Sequence, residues 1–329
     1  MTDQAHSHGE AFRLITRSDM DGLVCAVLLK ELGIVGQIDF VHPKDMQDGK
    51  IRVGPKDITT NLPYVEGVHL AFDHHASETE RVSGNPANHV IDAEAPSAAR
   101  VVYDYYGGAA RFPNVTEAMM QAVDKADSAA FSREDILDPQ GWDLLSFLMD
   151  ARTGLGRFRN FRVSNYQLMM DLIEYCRTHQ DIEDILALPD VVERVELFMD
   201  HQERFRDQLR RCTTLHGSLA VLDLREEETI WPGNRFMIYA MFPRSTISCH
   251  VLWGRDRQNT VLALGKSILD RSARTDIGLL CLNYGGGGHH AAGTCQIPNH
   301  GCERTIRRII DEITAIETGQ VTQAELVPA

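Results

Sequence analysis

Residues 12–30 read Phe12-Arg-Leu-Ile-Thr-Arg-Ser-Asp19-Met-Asp21-Gly-Leu-Val-Cys-Ala-Val-Leu-Leu-Lys30. Phe12–Thr16 has the character of a short buried strand. From Leu23 the residues Ala26, Val27 and Lys30 recur with helical spacing until Gly33 stops them. A strand that runs through a tight acidic turn into a helix opens a β/α fold, and the next hundred residues repeat the theme. Val68–Phe72 and His89–Ile91 read as further strands, Ser97–Tyr106 and Thr116–Asp127 as helices, the first closed by Gly107-Gly108. This alternation predicts an α/β domain on a doubly wound parallel sheet, which carries its sites at the carboxyl ends of the strands.

Downstream the texture changes. From about Trp142 to Arg211 the pattern is helical: Ser164-x-x-Gln167 reads as a capping box opening Asn165–Cys176. Asp190-x-x-Glu193 opens a longer helix with a seam of Val191, Val195, Phe198, Phe205 and Leu209. After Gly217 strands return at Leu219–Leu224, Phe236–Phe242 and Thr246–Trp253, followed by a helix near Leu280, a glycine run and a last helix near Arg304–Ile316. The expected organisation is a parallel-sheet domain over 1–141, a helical connector over 142–212 and a smaller α+β domain over 213–329.

At 329 residues the chain has room for about two domains with cores of their own. Its longest apolar runs, Leu23–Leu29 and Ile277–Leu282, are far too short to cross a bilayer, and its first residues lack a signal-peptide pattern, so a cytoplasmic protein with no membrane partner is expected. Seven scattered cysteines with no C-x-x-C pair argue against a zinc ribbon or a disulfide framework. A net charge of −14 excludes general coating of duplex DNA, which needs a broad cationic face, yet leaves room for carboxylates gathered around a divalent ion that itself attracts phosphate.

Three clusters in the first domain suit such a cage. Asp19 and Asp21 stand between strand and helix, offering the oxygen ligands hard cations prefer, although an acidic helix start is also favoured by the helix dipole. Asp73-His74-His75 closes the next strand: one histidine can ligate while its neighbour faces a substrate oxygen as acid or orienting donor. Asp127, with Asp124 as second choice, adds a carboxylate at the end of the helix from Thr116.

In the second domain Tyr284-Gly285-Gly286-Gly287-Gly288-His289-His290-Ala291-Ala292-Gly293-Thr294 lets backbone N–H groups approach a phosphate, with the small residues suited to a packed helix. Lys266 and Arg271 lie upstream as cationic candidates. The stretch from Arg152 to Arg162 holds four arginines, among them Arg157, with Phe158 and Phe161 and no acid. It suits guidance of a polyanion with base stacking, or equally a loop held to the connector by ion pairs.

Taken in order and spacing, Asp19-x-Asp21, Asp73-His74-His75, Asp127 and the distal Gly-Gly-Gly-His289-x-x-Ala292 resemble the DHH/DHHA1 phosphoesterases. That superfamily includes RecJ exonucleases, oligoribonucleases, pAp phosphatases, cyclic-dinucleotide phosphodiesterases and relatives labelled exopolyphosphatases. The resemblance implies a two-metal site of manganese type, with magnesium or cobalt as alternatives, in the first domain. It matches Asp19, Asp21, His74 and Asp127 to metal ligands, Asp73 to a supporting carboxylate, and His75 to the group facing the scissile phosphate. Gly286, Gly287, Gly288 and His289 match the substrate motif of the second domain. Two positions depart from the family pattern: Ile15 stands where members often carry histidine, and Asn61 where a bridging aspartate is usual, with Asp57 as a substitute.

The expected activity is metal-dependent hydrolysis of short oligonucleotides or linear dinucleotides, the connector acting as hinge. The rivals are a polyphosphatase and a non-catalytic nucleotide or phosphate sensor. Expected partners are the oligonucleotide, dinucleotide or polyphosphate substrate, and a second copy of the chain as a homodimer.

Overall fold

A computed structural model describes residues 11–84 and 86–326. Its elements run β1 (Phe12–Thr16), α1 (Met20–Glu31), β2 (Val35–Phe40), α2 (Pro43–Gln47), β3 (Asp57–Thr60), β4 (Leu70–Asp73), α3 (Ala76–Arg81), β5 (His89–Ile91), α4 (Ala98–Tyr105) and α5 (Glu117–Asp127). Helices α6 (Arg133–Leu137), α7 (Gly141–Met149), α8 (Asn165–Cys176), α9 (Ile182–Leu186) and α10 (Pro189–Cys212) follow. The chain ends with β6 (Thr213–His216), β7 (Leu219–Asp223), α11 (Met237–Met241), β8 (Ile247–Trp253), β9 (Thr260–Lys266), α12 (Ile277–Asn283), β10 (Gly287–His289), β11 (Ala292–Ile297) and α13 (Cys302–Glu317).

Two compact units result. The first comprises residues 1–130 and 140–196, the second 131–139 and 197–329, so the helical stretch is shared and α10 crosses the boundary. The first unit is built on an all-parallel sheet in the order β2-β1-β3-β4-β5. After β2 the chain returns to the other side of β1, so the strand order reverses between β1 and β3. That switch point is where the crevice of such a sheet opens. Leu14, Ile58 and Phe72 meet the apolar faces of α1, α4 and α5 on one side, while Ile15 and Leu62 meet Met46 of α2 on the other. Both faces are thus covered, as parallel sheets require.

Helix α1 is apolar around its whole circumference because it is wrapped: every residue from Met20 to Leu29 is buried. Each Leu or Val fully removed from water contributes about 1.5–3 kcal/mol, so this helix anchors the acidic turn before it. Gly22 completes that anchor, since a Cβ there would lie 1.9 Å from the Arg17 carbonyl oxygen.

The second unit is a mixed sheet in the order β10-β11-β9-β8-β7-β6, with only β7 and β8 parallel. α12 and α13 pack their apolar faces on it. Residues 236–242, expected as a strand, instead contain α11. A continuous apolar run carries no periodicity that separates the two, and here the Asn234 side chain accepts from the Phe236 N–H to start a turn. The Tyr239 hydroxyl then ties α11 to Ser248 Oγ and the Gly265 carbonyl. Likewise α10 starts at Pro189 rather than at an Asp190 cap: Leu188 O accepts from Val191 and Val192, and proline's missing N–H costs nothing in the first turn. Ser164 caps α8, but without the reciprocal half of the expected box, since the Gln167 side chain donates to Asp171.

Candidate functional site

The acidic turn after β1 sets two carboxylates at different tasks. Asp19 is the N-cap of α1: one oxygen accepts from the Gly22 N–H at 3.0 Å, and the other lies 3.0 Å from Arg17 Nε. Asp21, in the first turn, points into the fold and is 1% exposed. The N-terminus of α4 meets it there, with the Ala98 and Ala99 N–H groups donating at 3.2 and 2.7 Å, a fixed anion-binding arrangement.

At the end of β4, Asp73 Oδ1 accepts from the backbone N–H groups of His74 (2.8 Å) and His75 (3.3 Å) and lies 2.7 Å from His75 Nδ1. The two rings diverge. His74 Nδ1 is held by the Ala95 carbonyl at 3.1 Å, which turns Nε2 toward Asp127 Oδ2, 2.7 Å away. That approach is an ion pair without the alignment of a hydrogen bond. His75 is more open, its side chain 42% exposed. Ligand atoms of Asp21, His74 and Asp127 lie within 4.8 Å of one another, and Asp19 stands beside them.

The electrostatics are those of carboxylates crowded in a buried place. Burial, reinforced by Asp127 and Asp19, pushes the Asp21 carboxyl well above the ordinary range, and burial also raises Asp19. Burial works against a charged His74, but the Asp127 and Asp21 carboxylates outweigh it and push its pKa up to about 9. Asp127, facing that imidazolium and Arg17, lies low despite its burial. Arg17 lies among these carboxylates and draws Asp127 down. Two or three carboxylates with an imidazole, oriented through Ala95 O, are a donor set that fits a divalent ion.

A cavity of about 170 Å³ lies in the same unit, walled by Leu145, Met149, Leu155, Met169 and Leu172 and reaching Ser18, the residue before Asp19.

In the second unit the glycine run is a strand. β10 pairs antiparallel with β11 at the edge of the sheet, so Ala292-Gly293 continues in β11 and not in the helix expected there. The glycines have separate reasons. A Cβ at Gly286 would lie 2.1 Å from Thr294 O, and at Gly288, whose φ is +158°, 2.2 Å from Ala292 O. Gly287, which pairs with Thr294, has nothing within 4 Å of such a Cβ. Lys266 Nζ bonds Ala273 O at 3.1 Å and lies 2.8 Å from His290 Nε2, whose Nδ1 is 3.2 Å from Asp276. His289 is exposed on β10, and Arg271 is exposed on the loop after β9.

Among solved structures, the pGpG-specific phosphodiesterase PggH from Vibrio cholerae is 56% identical, with a TM-score of 0.80 over 92% of this chain and 99% of that one. This chain belongs to the DHH phosphoesterase family. Manganese-bound RecJ from Thermus thermophilus (14% identity, TM-score 0.53, 93% of this chain and 52% of that one) and CDC45 from Entamoeba histolytica (8%, 0.51, 93% and 95%) share the fold. No protein-family model and no curated protein matches the chain. The phosphoesterase is a hydrolase of ester bonds, and among its described residues no helix is long and apolar enough to cross a membrane.

Several expectations about the DHH enzyme's side chains change with the structure. Asp57 cannot replace a carboxylate at position 61: it opens β3 at the far end of the sheet, clasped by Arg13 Nε and Nη2 and the Gly54 N–H. Asp124 is also committed, bonding Ser97 Oγ and Arg100 and so fixing the start of α4. In the arginine stretch, Arg152 pairs with Asp150 and Arg162 with Asp190, and the Phe161 ring lies 4.0 Å under the Arg194 guanidinium. Arg157 has no ion pair with a described residue, and burial lowers its pKa. Sequence reading passed over Arg17, Ala95 and the α4 N-terminus. Only the last had a signal, the cap at Ser97 before two alanines. It also passed over the Lys266–His290–Asp276 chain, whose members come from three separate segments.

Proposed function

We propose that this phosphoesterase hydrolyses short linear dinucleotides of the pGpG type to mononucleotides, with manganese as the preferred ion and magnesium or cobalt as weaker substitutes. The 56% identity over 99% of the pGpG-specific enzyme carries this reading. Supporting it, the cavity at Ser18 is walled mostly by apolar side chains, with Asp150, Asn165 and Arg194 also at its lining. It therefore suits a base attached to a phosphate at Asp19–Asp21, a feature that polyphosphate does not need.

In this reading Asp19, Asp21, His74 and Asp127 hold the metal, which when bound supplies Lewis-acid polarisation and an activated water. The N-terminus of α4 keeps the Asp21 carboxylate oriented, and Ala95 O keeps the His74 proton on Nδ1, leaving Nε2 for ligation. Asp73 holds His75 by its Nδ1, so that His75 Nε2 is the atom that donates to a phosphoryl oxygen. In the second unit Lys266 and the exposed Gly287 serve as an anion site, with His289 and Arg271 as further contacts to the substrate, and Arg157 is a further contact from the first unit.

The test is product release from a panel of pGpG, di- to pentaribonucleotides, pAp, cyclic dinucleotides and polyphosphate, with Mn²⁺ and with EDTA, for wild type and Asp21→Asn. We expect metal-dependent release of mononucleotide from pGpG, lost in the variant. Faster turnover of pentanucleotides or polyphosphate than of pGpG would overturn the substrate assignment.

A further inference from the structure

Lys266 closes β9, His290 stands in the turn between β10 and β11, and Asp276 is the N-cap of α12. Their backbones are pinned together. The Lys266 N–H donates to Ala291 O at 2.8 Å, and the Ile277 N–H to His290 O at 3.1 Å. Asp276 is held from a further segment as well: its N–H donates to the Gln323 side-chain amide at 2.6 Å, and its carbonyl accepts from that amide at 2.8 Å.

The side chains then have one possible order. One Asp276 oxygen caps α12, accepting from the Leu279 N–H at 2.9 Å, and the other lies 3.2 Å from His290 Nδ1. A carboxylate only accepts and an ammonium only donates, so Nδ1 donates to Asp276 and Nε2 keeps its lone pair for Lys266 Nζ, 2.8 Å away. A second N–H of the ammonium donates to Ala273 O at 3.1 Å. Lysine has three such donors on a flexible stem. Two are spent on holding the ammonium still, which leaves the third for a ligand. Fixing a lysine gives up rotamer freedom that a solvated one keeps, and a donor ordered in advance recovers that loss when an anion binds.

The class of anion follows from the substrate. The carboxylates of the first unit serve the diester that is cut. A dinucleotide of the pGpG type carries one other anion, its terminal phosphomonoester, with a charge of about −1.5 to −2 at pH 7 and oxygens that accept hydrogen bonds. The hairpin that carries His290 also carries Gly287 and His289, both exposed.

We propose that Asp276 and His290 are positioning residues that aim the Lys266 ammonium at the terminal phosphomonoester, so that the three together select 5′-phosphorylated dinucleotides over unphosphorylated ones. The assignment rests on the function proposed above, and a binding measurement without metal or turnover decides it separately.

The experiment compares kcat and KM for pGpG and for GpG, which lacks only the terminal phosphate, in the full chain with Mn²⁺. Melting temperature is the control for folding. We expect Lys266→Met to reduce the preference for pGpG about 10- to 100-fold, through KM rather than kcat, since a hydrogen bond between charged groups is lost. His290→Phe should lose about tenfold, and His290→Gln, whose amide oxygen can accept from Lys266, should recover most of it. Asp276→Asn can still cap α12 and should lose about threefold. Because His290 acts through Lys266, the double variant Lys266→Met/His290→Phe should be no worse than Lys266→Met alone. A preference unchanged in His290→Phe, losses that add in the double variant, or a wild type with equal KM for the two dinucleotides would overturn the proposal. Calorimetry of GMP against guanosine on EDTA-treated protein removes turnover from the test. Wild type should bind GMP more tightly, the margin being lost in Lys266→Met and reduced in His290→Phe. No margin in wild type, or one that survives both substitutions, would also overturn the proposal. A wild type that cleaves neither dinucleotide would instead sink the substrate reading, and the GMP margins would then decide this assignment alone.

Discussion

At the carboxyl edge of the parallel sheet, side chains from residues 21, 74 and 127 converge on one point, the first two held from behind by backbone groups of residues 95–99. At the edge of the mixed sheet the reverse holds: residues 285–288 are contiguous and carry no side chains, and other backbone packs closely on Gly286 and Gly288, while Gly285 turns with φ +73°. The first region works by charge in a buried place and depends on every donor. The second works by space, and its glycines divide into those the fold needs and one that it does not. Substitutions should therefore separate chemistry from stability in opposite ways in the two regions.

The largest effect is expected at Asp127→Asn. Isosteric loss of this carboxylate removes a ligand and the partner of His74 Nε2, and even residues that merely support ligands are worth about 10–100-fold. Turnover with saturating Mn²⁺ should fall by more than about 100-fold, Mn²⁺ affinity should weaken in calorimetry, and the melting temperature of the metal-loaded protein should change little relative to that loss. Full activity in the variant would show that the convergence at residues 21, 74 and 127 is a structural ion pair only.

Next in size is a paired test in the glycine strand. Gly288→Ala places a Cβ 2.2 Å from Ala292 O at a backbone angle unsuited to alanine, so the second unit should lose about 1–3 kcal/mol, visible as a lowered melting temperature. Gly287→Ala meets open space and should melt like wild type, raising KM for pGpG if its backbone approaches phosphate. Equal destabilisation by the two would erase the distinction between packing glycine and open glycine.

How much of this could be read beforehand follows the same division. That Asp21, His74 and Asp127 would converge was legible because each stands at or beside the end of an element whose periodicity is clear, and a parallel sheet places such ends together. β3 was not, since three of its four buried residues, Asp57, Thr59 and Thr60, are polar, and Thr60 and Asp57 find their partners Thr16 and Arg13 only in the fold. With β3 unread, Asn61 had no strand end to belong to and Asp57 looked like a substitute. The glycine run was found for its composition, but its pairing partner β11 lies beyond a turn whose residues His290-Ala291 carry no hairpin signature. The Lys266–His290–Asp276 chain depends on that pairing, which sets Ala292 opposite Gly265, and so was invisible with it.

The smallest expected effect distinguishes the units by pH. His250 on β8 carries a pKa pushed down to about 4, chiefly by burial and then by the nearby Arg235. Its folded value lies below the ordinary 6.5, so the unfolded chain takes the proton first. Stability from this group is therefore complete above pH 6.5 and declines as the pH falls toward 4. In the first unit without metal, His74 has the opposite sign, although the partly buried His89 there shares that of His250. His74 holds its proton up to about pH 9, so its contribution is complete below pH 6.5 and is lost as the pH rises through 9. In EDTA-treated protein, acidification from pH 7 to 5.5 should thus lower the melting transition of the second unit, and alkalinisation from pH 7 to 9.5 that of the first. His250→Gln, neutral throughout, should flatten the acid limb and leave the alkaline one. An acid limb as steep in His250→Gln as in wild type would assign it to carboxyl groups elsewhere. An alkaline limb that survives saturation with Mn²⁺ would mean that the proton on His74 does not stand in the metal's place.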